Sequence, residues 1–198
     1  MKQLLPDIWQ WSWFSEEKQL DFNGLFFIVG EHRVLVDPPP LTPEARGLLR
    51  RTGPIDYIIV TNRDHERETT VCQNEFHCEV RVPAEDAPCM GLKPTRVFRD
   101  GELLPGGIWV VQLKGQKSPG ESALYLERDK GVLIVGDALI GKPAGSVSML
   151  PAERYADIGE AKMGLRRLLK YEFHSLLVGD GVSILAGAKQ QVERFLSI

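Results

Sequence analysis

Cysteine is scarce in this chain, and its count is odd. Cys72, Cys78 and Cys89 make three in 198 residues, too few and too unevenly spaced for a disulfide framework. Cys72 and Cys78 flank a segment that holds His77, but no fourth ligand follows at a zinc-site spacing. The three thiols therefore read as small apolar side chains packed in or near a core. Basic charge is not in excess: the net charge is -3 and the isoelectric point near 5.9. That balance leaves no electrostatic footprint for nucleic acid. No apolar run is long enough to span a bilayer. The opening Met1-Lys2-Gln3, soon followed by Pro6 and Asp7, has no signal-peptide apolar region. Reduced thiols and no targeting signal give the expectation of a cytoplasmic protein without a membrane or nucleic-acid partner. The glycines between Gly136 and Gly145 do not end in Gly-Lys-Ser/Thr, since Lys142 is followed by Pro143, which excludes a P-loop. There is no Gly-x-Ser-x-Gly elbow, and Ser118 and Ser122 have no evident base beside them.

What is present is a strongly patterned chain. Hydrophobic residues make up 43%, which argues against disorder, and the length suits one domain over residues 1–198. Ile8 to Phe14 alternates, with Trp9, Trp11 and Trp13 on one face, a stripe expected to pack a sheet. Gly24 to Val29 and Arg33 to Val36 form a hairpin around Gly30-Glu31-His32. Asp37 and three prolines stop the second strand. Thr42 then caps a helix that has Pro43 at its first position and runs to about Arg51. Tyr57 to Val60 reads as a buried strand, Glu68 to Asn74 as a helix, and Glu79 to Val82 as a strand. Strands resume at Arg96 to Phe98, Ile108 to Leu113, Ser122 to Glu127 and Val132 to Val135. A long helical pattern over Ala152 to Phe173 follows, then a strand at Ser175 to Val178 and a helix at Ala186 to Leu196. Two successive sets of strands and helices without a linker predict an α/β protein of two stacked halves around one core.

Several loops fall at the carboxyl ends of these strands, where α/β folds gather their ligand sites. They are Val36-Asp37, Val60 to Arg67, Gly115-Gln116-Lys117-Ser118-Pro119-Gly120-Glu121-Ser122, Val135-Gly136-Asp137-Ala138-Leu139, and Gly179-Asp180-Gly181. In this order they resemble the metallo-β-lactamase superfamily, with its early aspartate, its His-x-His-x-Asp-His loop, its Gly-His-Thr-Pro-Gly-Ser turn, its Gly-Asp segment and its Gly-His-Gly. The resemblance covers nearly the whole chain and implies a four-layer αββα sandwich with its site at one edge.

The departures matter as much. In the resemblance, Asn62 and Asp64 stand where the first two histidines would be. Glu66 takes the aspartate position, Arg67 the third histidine, and Gln116 and Asp180 the later histidines. Among the metal-ligand positions Asp137 alone keeps the family residue, and His65 falls on a spacer, read as a solvated loop residue. The family's chemistry is hydrolysis by two metals that activate a hydroxide. Here the first site would offer Asn62, Asp64, Gln116 and Asp137, all oxygen donors, a set suited to a hard divalent cation rather than zinc. The second would offer Glu66, Asp137 and Asp180 beside Arg67, whose guanidinium has no lone pair to give. The dinuclear zinc centre is therefore not expected, and ligand chemistry favours a metal-free site in which Arg67 faces Asp137 and Asp180. Two functions stay open. One is a hydrolase-like enzyme using Asp64, Asp137 and Asp180. The other is a non-catalytic protein that binds a small molecule or a partner in the same cleft. Substrate and oligomeric state are not legible. If there is activity, it is expected to depend on Asp137 more than on His65.

Overall fold

The computed structural model describes residues 1–197. A seven-stranded sheet runs in chain order: β1 (Lys2–Leu5), β2 (Ile8–Ser15), β3 (Leu20–Val29), β4 (His32–Val36), β5 (Tyr57–Ile59), β6 (Glu79–Pro83) and β7 (Arg96–Phe98). The strands from β1 to β4 pair antiparallel and those from β4 to β7 pair parallel. The parallel pairs need crossovers. Helices α1 (Pro43–Thr52) and α2 (Thr69–Phe76) supply the first two. The second sheet holds β8 (Leu103–Leu104), β9 (Ile108–Gln112), β10 (Ser122–Leu126), β11 (Val132–Val135) and β12 (Ser175–Val178), in the order β12-β11-β10-β9-β8. Only β11 and β12 pair parallel there, and α3 (Ile158–Leu165) lies on their connection. Helix α4 (Ala188–Leu196) follows β12.

The alternation of side chains along each strand explains the layering. One set of inward residues, among them Phe27, Val36 and Ile59 from the first sheet and Val110, Leu124 and Leu177 from the second, fills the space between the sheets. The opposite set on the first sheet packs under α1 and α2 through Leu49, Ile58, Cys72 and Val80. The opposite set on the second packs under α3 and α4 through Leu133, Leu165, Val178 and Val192. Strands β10, β11 and β12 are buried at every residue, as covered sheets require. The result is an αββα sandwich.

Three expectations change in detail. The predicted helix over 152–173 is broken into a 3₁₀ turn at Ala152–Arg154, then α3, then a 3₁₀ stretch at Arg166–Lys170. The Asp157 side chain caps α3 by accepting from the amides of Gly159 and Glu160, which starts a new helix instead of continuing one. In α3, a side chain at Gly164 would meet the Lys114 carbonyl at 2.0 Å, so glycine lets the 114–117 loop dock on the helix. The tryptophan stripe is graded: Trp11 is buried, Trp9 stacks on Phe26 at 5.4 Å, and Trp13 is 45% exposed. Cys72 and Cys78 are buried, but Cys89 is exposed in the loop after β6 and belongs to no core.

Asn23 ties the two sheets together at the edge that carries the site. Its Nδ2 donates to the carbonyls of Val178 and Gly181 at 2.9 and 2.7 Å. Its amide donates to the Gly179 carbonyl at 2.7 Å. These bonds hold the Asp180 loop of the second sheet against β3 of the first.

Candidate functional site

The site is assembled from strand ends, and Asp37, just after β4, is its base. It is 2% exposed and takes a positive φ of 47°. Its carboxylate accepts from the Thr61 amide at 2.8 Å, the Thr61 hydroxyl at 2.6 Å and His65 Nδ1 at 2.8 Å. Asn62 is fully buried and caps the short turn Arg63–His65, its Oδ1 accepting from the amides of Asp64 and His65. This turn sends Asp64 out to the cleft and His65 inward. Asn62 is thus a cap, not a group facing the cleft.

His65 corrects the sequence reading most sharply. It is 2% exposed, not solvated, and lies between two carboxylates. Nε2 is 3.4 Å from Asp137 Oδ1 and 3.2 Å from Arg67 Nη2, two neighbours with opposite demands on its proton. Burial and Arg67 both lower the His65 pKa, but Asp37 and Asp137 outweigh them and push it up to about 10. The two carboxylates thus favour the protonated ring. Arg67 Nη2 lies in hydrogen-bond geometry to Nε2, and the other guanidinium donors go to neighbouring carbonyls and a carboxylate.

Those donors are well placed. Arg67 Nη1 donates to the carbonyls of Asn23 (2.9 Å) and Asp37 (3.2 Å). Nη2 donates to the Gly179 carbonyl (3.3 Å) and to Asp180 Oδ1 (2.6 Å), and the guanidinium lies 4.9 Å over the Phe22 ring. The sequence places Arg67 against both Asp137 and Asp180, but its carboxylate partner is Asp180. Burial raises the Asp180 pKa despite His65 and Arg67 beside it.

Asp137 is served by Lys117, whose Nζ lies 2.8 Å from Asp137 Oδ2 and 3.1 Å from Asp64 Oδ2. Burial opposes ionisation of Asp137, yet the charges of His65 and Lys117 hold its pKa well below the usual range. Burial likewise disfavours the Lys117 ammonium, but Asp137 and Asp64 raise its pKa on balance. Gln116, assigned to the cleft from the sequence, instead donates to the carbonyls of Ala161 (2.8 Å) and Lys114 (3.2 Å) and braces the loop on α3. Its neighbour Lys117 holds the position. Counting back from Pro119-Gly120, rather than forward from Gly115, places Lys117 at the histidine of the Gly-His-Thr-Pro-Gly-Ser pattern. Glu66 also leaves the cleft, its Oε2 accepting from the Gly91 amide at 2.9 Å. Of the expected group, then, Asp64, Asp137, Asp180 and Arg67 converge, whereas Asn62, Glu66 and Gln116 do not line the cavity.

Glu121 is a second residue the sequence did not single out. It is fully buried behind Asp137, and burial together with the Asp137 charge raises its pKa well above the ordinary value. It accepts from the Ala138 amide at 3.1 Å, and its Oε2 and the nearby Asn62 Nδ2 have no hydrogen-bond partner among the described residues. Gly136 allows this crowding. A side chain there would come within 2.3 Å of Thr61 Oγ1 and 2.6 Å of Asn62 Nδ2. Gly136→Ala is expected to cost about 1–3 kcal/mol through overpacking. Urea denaturation measures it, and an unchanged midpoint would show that the loop yields freely.

The cleft has a volume of about 660 Å³, within the range of small-molecule sites. His65, Asp137 and Asp180 lie at its floor, each offering a ligand atom, and all these atoms lie within 4.8 Å of one another. They form a group able to hold a metal ion. Among the described residues, no helix is long and apolar enough to cross a membrane.

A family model described as the metallo-beta-lactamase superfamily matches residues 1–197. No curated protein matches the sequence. Among solved structures, the fold is similar to the DIM-1 metallo-beta-lactamase at a TM-score of 0.80 and 15% identity, over 99% of this chain and 94% of that one. A metallo-beta-lactamase from Pontibacter korlensis gives 0.77 and 16%, over 99% and 96%. A metallo-beta-lactamase family protein from Thermus thermophilus gives 0.73 and 19%, over 98% and 80%. At these identities the likeness is one of fold.

Proposed function

Because the chain belongs to the metallo-beta-lactamase superfamily, we propose its function as a departure from two-metal hydrolysis: a cleft that binds a small molecule without a dinuclear metal centre. Lys117 and Arg67 carry the charge that two ions would otherwise supply. The observation behind this reading is the pairing of Lys117 Nζ with Asp137 at 2.8 Å and of Arg67 Nη2 with Asp180 at 2.6 Å. Two metal ions would meet a fixed ammonium and a fixed guanidinium, neither of which has a lone pair to give. One imidazole lies on the floor, and dinuclear zinc sites need several nitrogen or sulfur donors. The residues do not fit the pair of zincs.

The acid–base chemistry agrees. A general base is most effective with a pKa near the working pH, whereas His65 is pushed up to about 10 and Lys117 is held charged. A second reading draws on the grouping of His65, Asp137 and Asp180: one hard divalent cation, with Asp64, Asp137 and Asp180 as a hydrolase's acidic groups. It requires both cationic side chains to withdraw.

Elemental analysis of protein purified without chelator separates these readings. Less than one transition metal per chain is expected, with no thermal stabilisation by zinc, manganese or magnesium. Two tightly held zincs per chain would refute the proposal, and one hard cation per chain would replace it with the second reading.

A further inference from the structure

The charges around the cleft fall into groups, with His65 set between Asp37 and Asp137 on the floor. Asp137 and Asp64 share Lys117, and Asp180 is held by Arg67. At the mouth, Lys18 is paired with Glu17 at 2.6 Å. Three charged lining residues remain: Lys142, Arg154 and Glu153. Lys142 Nζ makes one long contact, 3.3 Å to the Gln19 carbonyl. The Arg154 guanidinium has no ion pair or hydrogen bond among the described residues, and both side chains are exposed. At the mouth the remainder is two cations against one carboxylate, one positive charge in excess, whereas on the floor Asp64 and Asp137 share one ammonium.

The floor does not compete for an anion. Arg67 has already committed donors to three carbonyls and Asp180. An anion there would also face Asp137 and Asp180. The walls between floor and mouth are apolar, with Phe22, Ile140, Met149 and Leu150 lining the cavity. Apolar surface held open to water gains free energy when an apolar body covers it.

We propose that the cleft takes an apolar molecule bearing one anionic group, a carboxylate or a phosphate ester. The anion sits between Lys142 and Arg154, and the body lies along Phe22, Ile140, Met149 and Leu150. This rests on the reading of the cleft as a small-molecule site and adds the class of molecule and the residues that select it.

Fluorescence titration tests it with two probes of similar aromatic body, anilinonaphthalene sulfonate and neutral N-phenyl-naphthylamine. The sulfonate should bind more tightly, and more weakly as salt rises. Lys142→Gln combined with Arg154→Gln should weaken it about tenfold while leaving the neutral probe unchanged. Both positions are exposed, so the double variant should unfold at the parent's midpoint. Octanoate and octyl phosphate should displace the sulfonate better than octanol, and their ranking assigns the headgroup. Equal affinity for both probes, in parent and variant alike, would overturn the anion assignment and leave a neutral-ligand cleft. Failure of both probes to bind would overturn the assignment together with the reading beneath it.

Discussion

Arg67→Ala is expected to destabilise the protein by about 3–5 kcal/mol at neutral pH, the range for removing one partner of a buried ion pair. The pair qualifies as buried, with side-chain exposures of 9% for Arg67 and 8% for Asp180. The net worth of such a pair over an apolar replacement is small, since both charges are desolvated. Removing only the guanidinium is different: it strands the Asp180 carboxylate and leaves the Gly179, Asn23 and Asp37 carbonyls short of a donor. The pH dependence follows from Asp180, whose folded pKa is raised by burial. A raised folded pKa gives stability that is present below the unfolded pKa and lost as pH rises through the folded one. Without Arg67 that pKa climbs further. The penalty should therefore be small near pH 4 and grow towards pH 7. Urea denaturation of parent, Arg67→Ala and Arg67→Lys at both pH values reads this directly. Lysine keeps the charge but not the fork, so an intermediate loss is expected. A loss below about 1 kcal/mol at pH 7, typical of an exposed pair, would mean that the floor is solvated and that Arg67 neutralises nothing.

The second large effect belongs to His65. Its pKa rises from 6.5 to about 10 because Asp37 and Asp137 outweigh burial and Arg67. The sign is that of a group protonated more readily when folded. Its stabilisation is complete below pH 6.5 and disappears as pH climbs through about 10. Every tenfold gain in proton affinity on folding corresponds to about 1.4 kcal/mol. The lowered pKa of Asp137 reports the same contact and is not counted again. The parent should thus lose stability steadily from pH 7 to pH 10, and His65→Gln should be less stable at pH 6 but nearly flat over that interval. Denaturation midpoints at pH 6, 8 and 10 measure it. Parallel slopes for the two proteins would show that His65 is neutral when folded, donating to Asp37 and accepting from Arg67.

Both effects turn on residues that differ in how far the sequence reveals them. Arg67 is legible, because a guanidinium at a ligand position beside Asp180 has an electrostatic purpose whatever its exact neighbours. His65 is misread as solvated because spacing along a loop does not say which side chain the turn directs inward. Asn62 makes that choice by capping the turn at Arg63–His65. Lys117 is displaced by one residue when the motif is counted from Gly115 rather than from Pro119-Gly120. Docking of the loop on α3, possible where Gly164 leaves room for the Lys114 carbonyl, assigns Gln116 to bracing and Lys117 to the cleft.

By itself the sequence determined the layers and the strand ends at which the candidate residues lie. Strand periodicity, proline stops and helix caps are local signals, and Asp37, Asp137 and Asp180 each follow a buried strand whose end is marked by glycine or proline. The scarcity of histidine in the loops at the strand ends was also plain, because it depends on residue type and not on geometry. Tertiary structure decided which cation meets which carboxylate. Lys117 and Asp137 are 20 residues apart and meet where loops of the second sheet converge, and Arg67 and Asp180, 113 apart, meet where Asn23 joins the two sheets. It also decided the surroundings that shift the pKa values of His65 and Glu121, because a pKa is set by burial and by the charges that surround a group in space, which the order of residues along the chain does not fix.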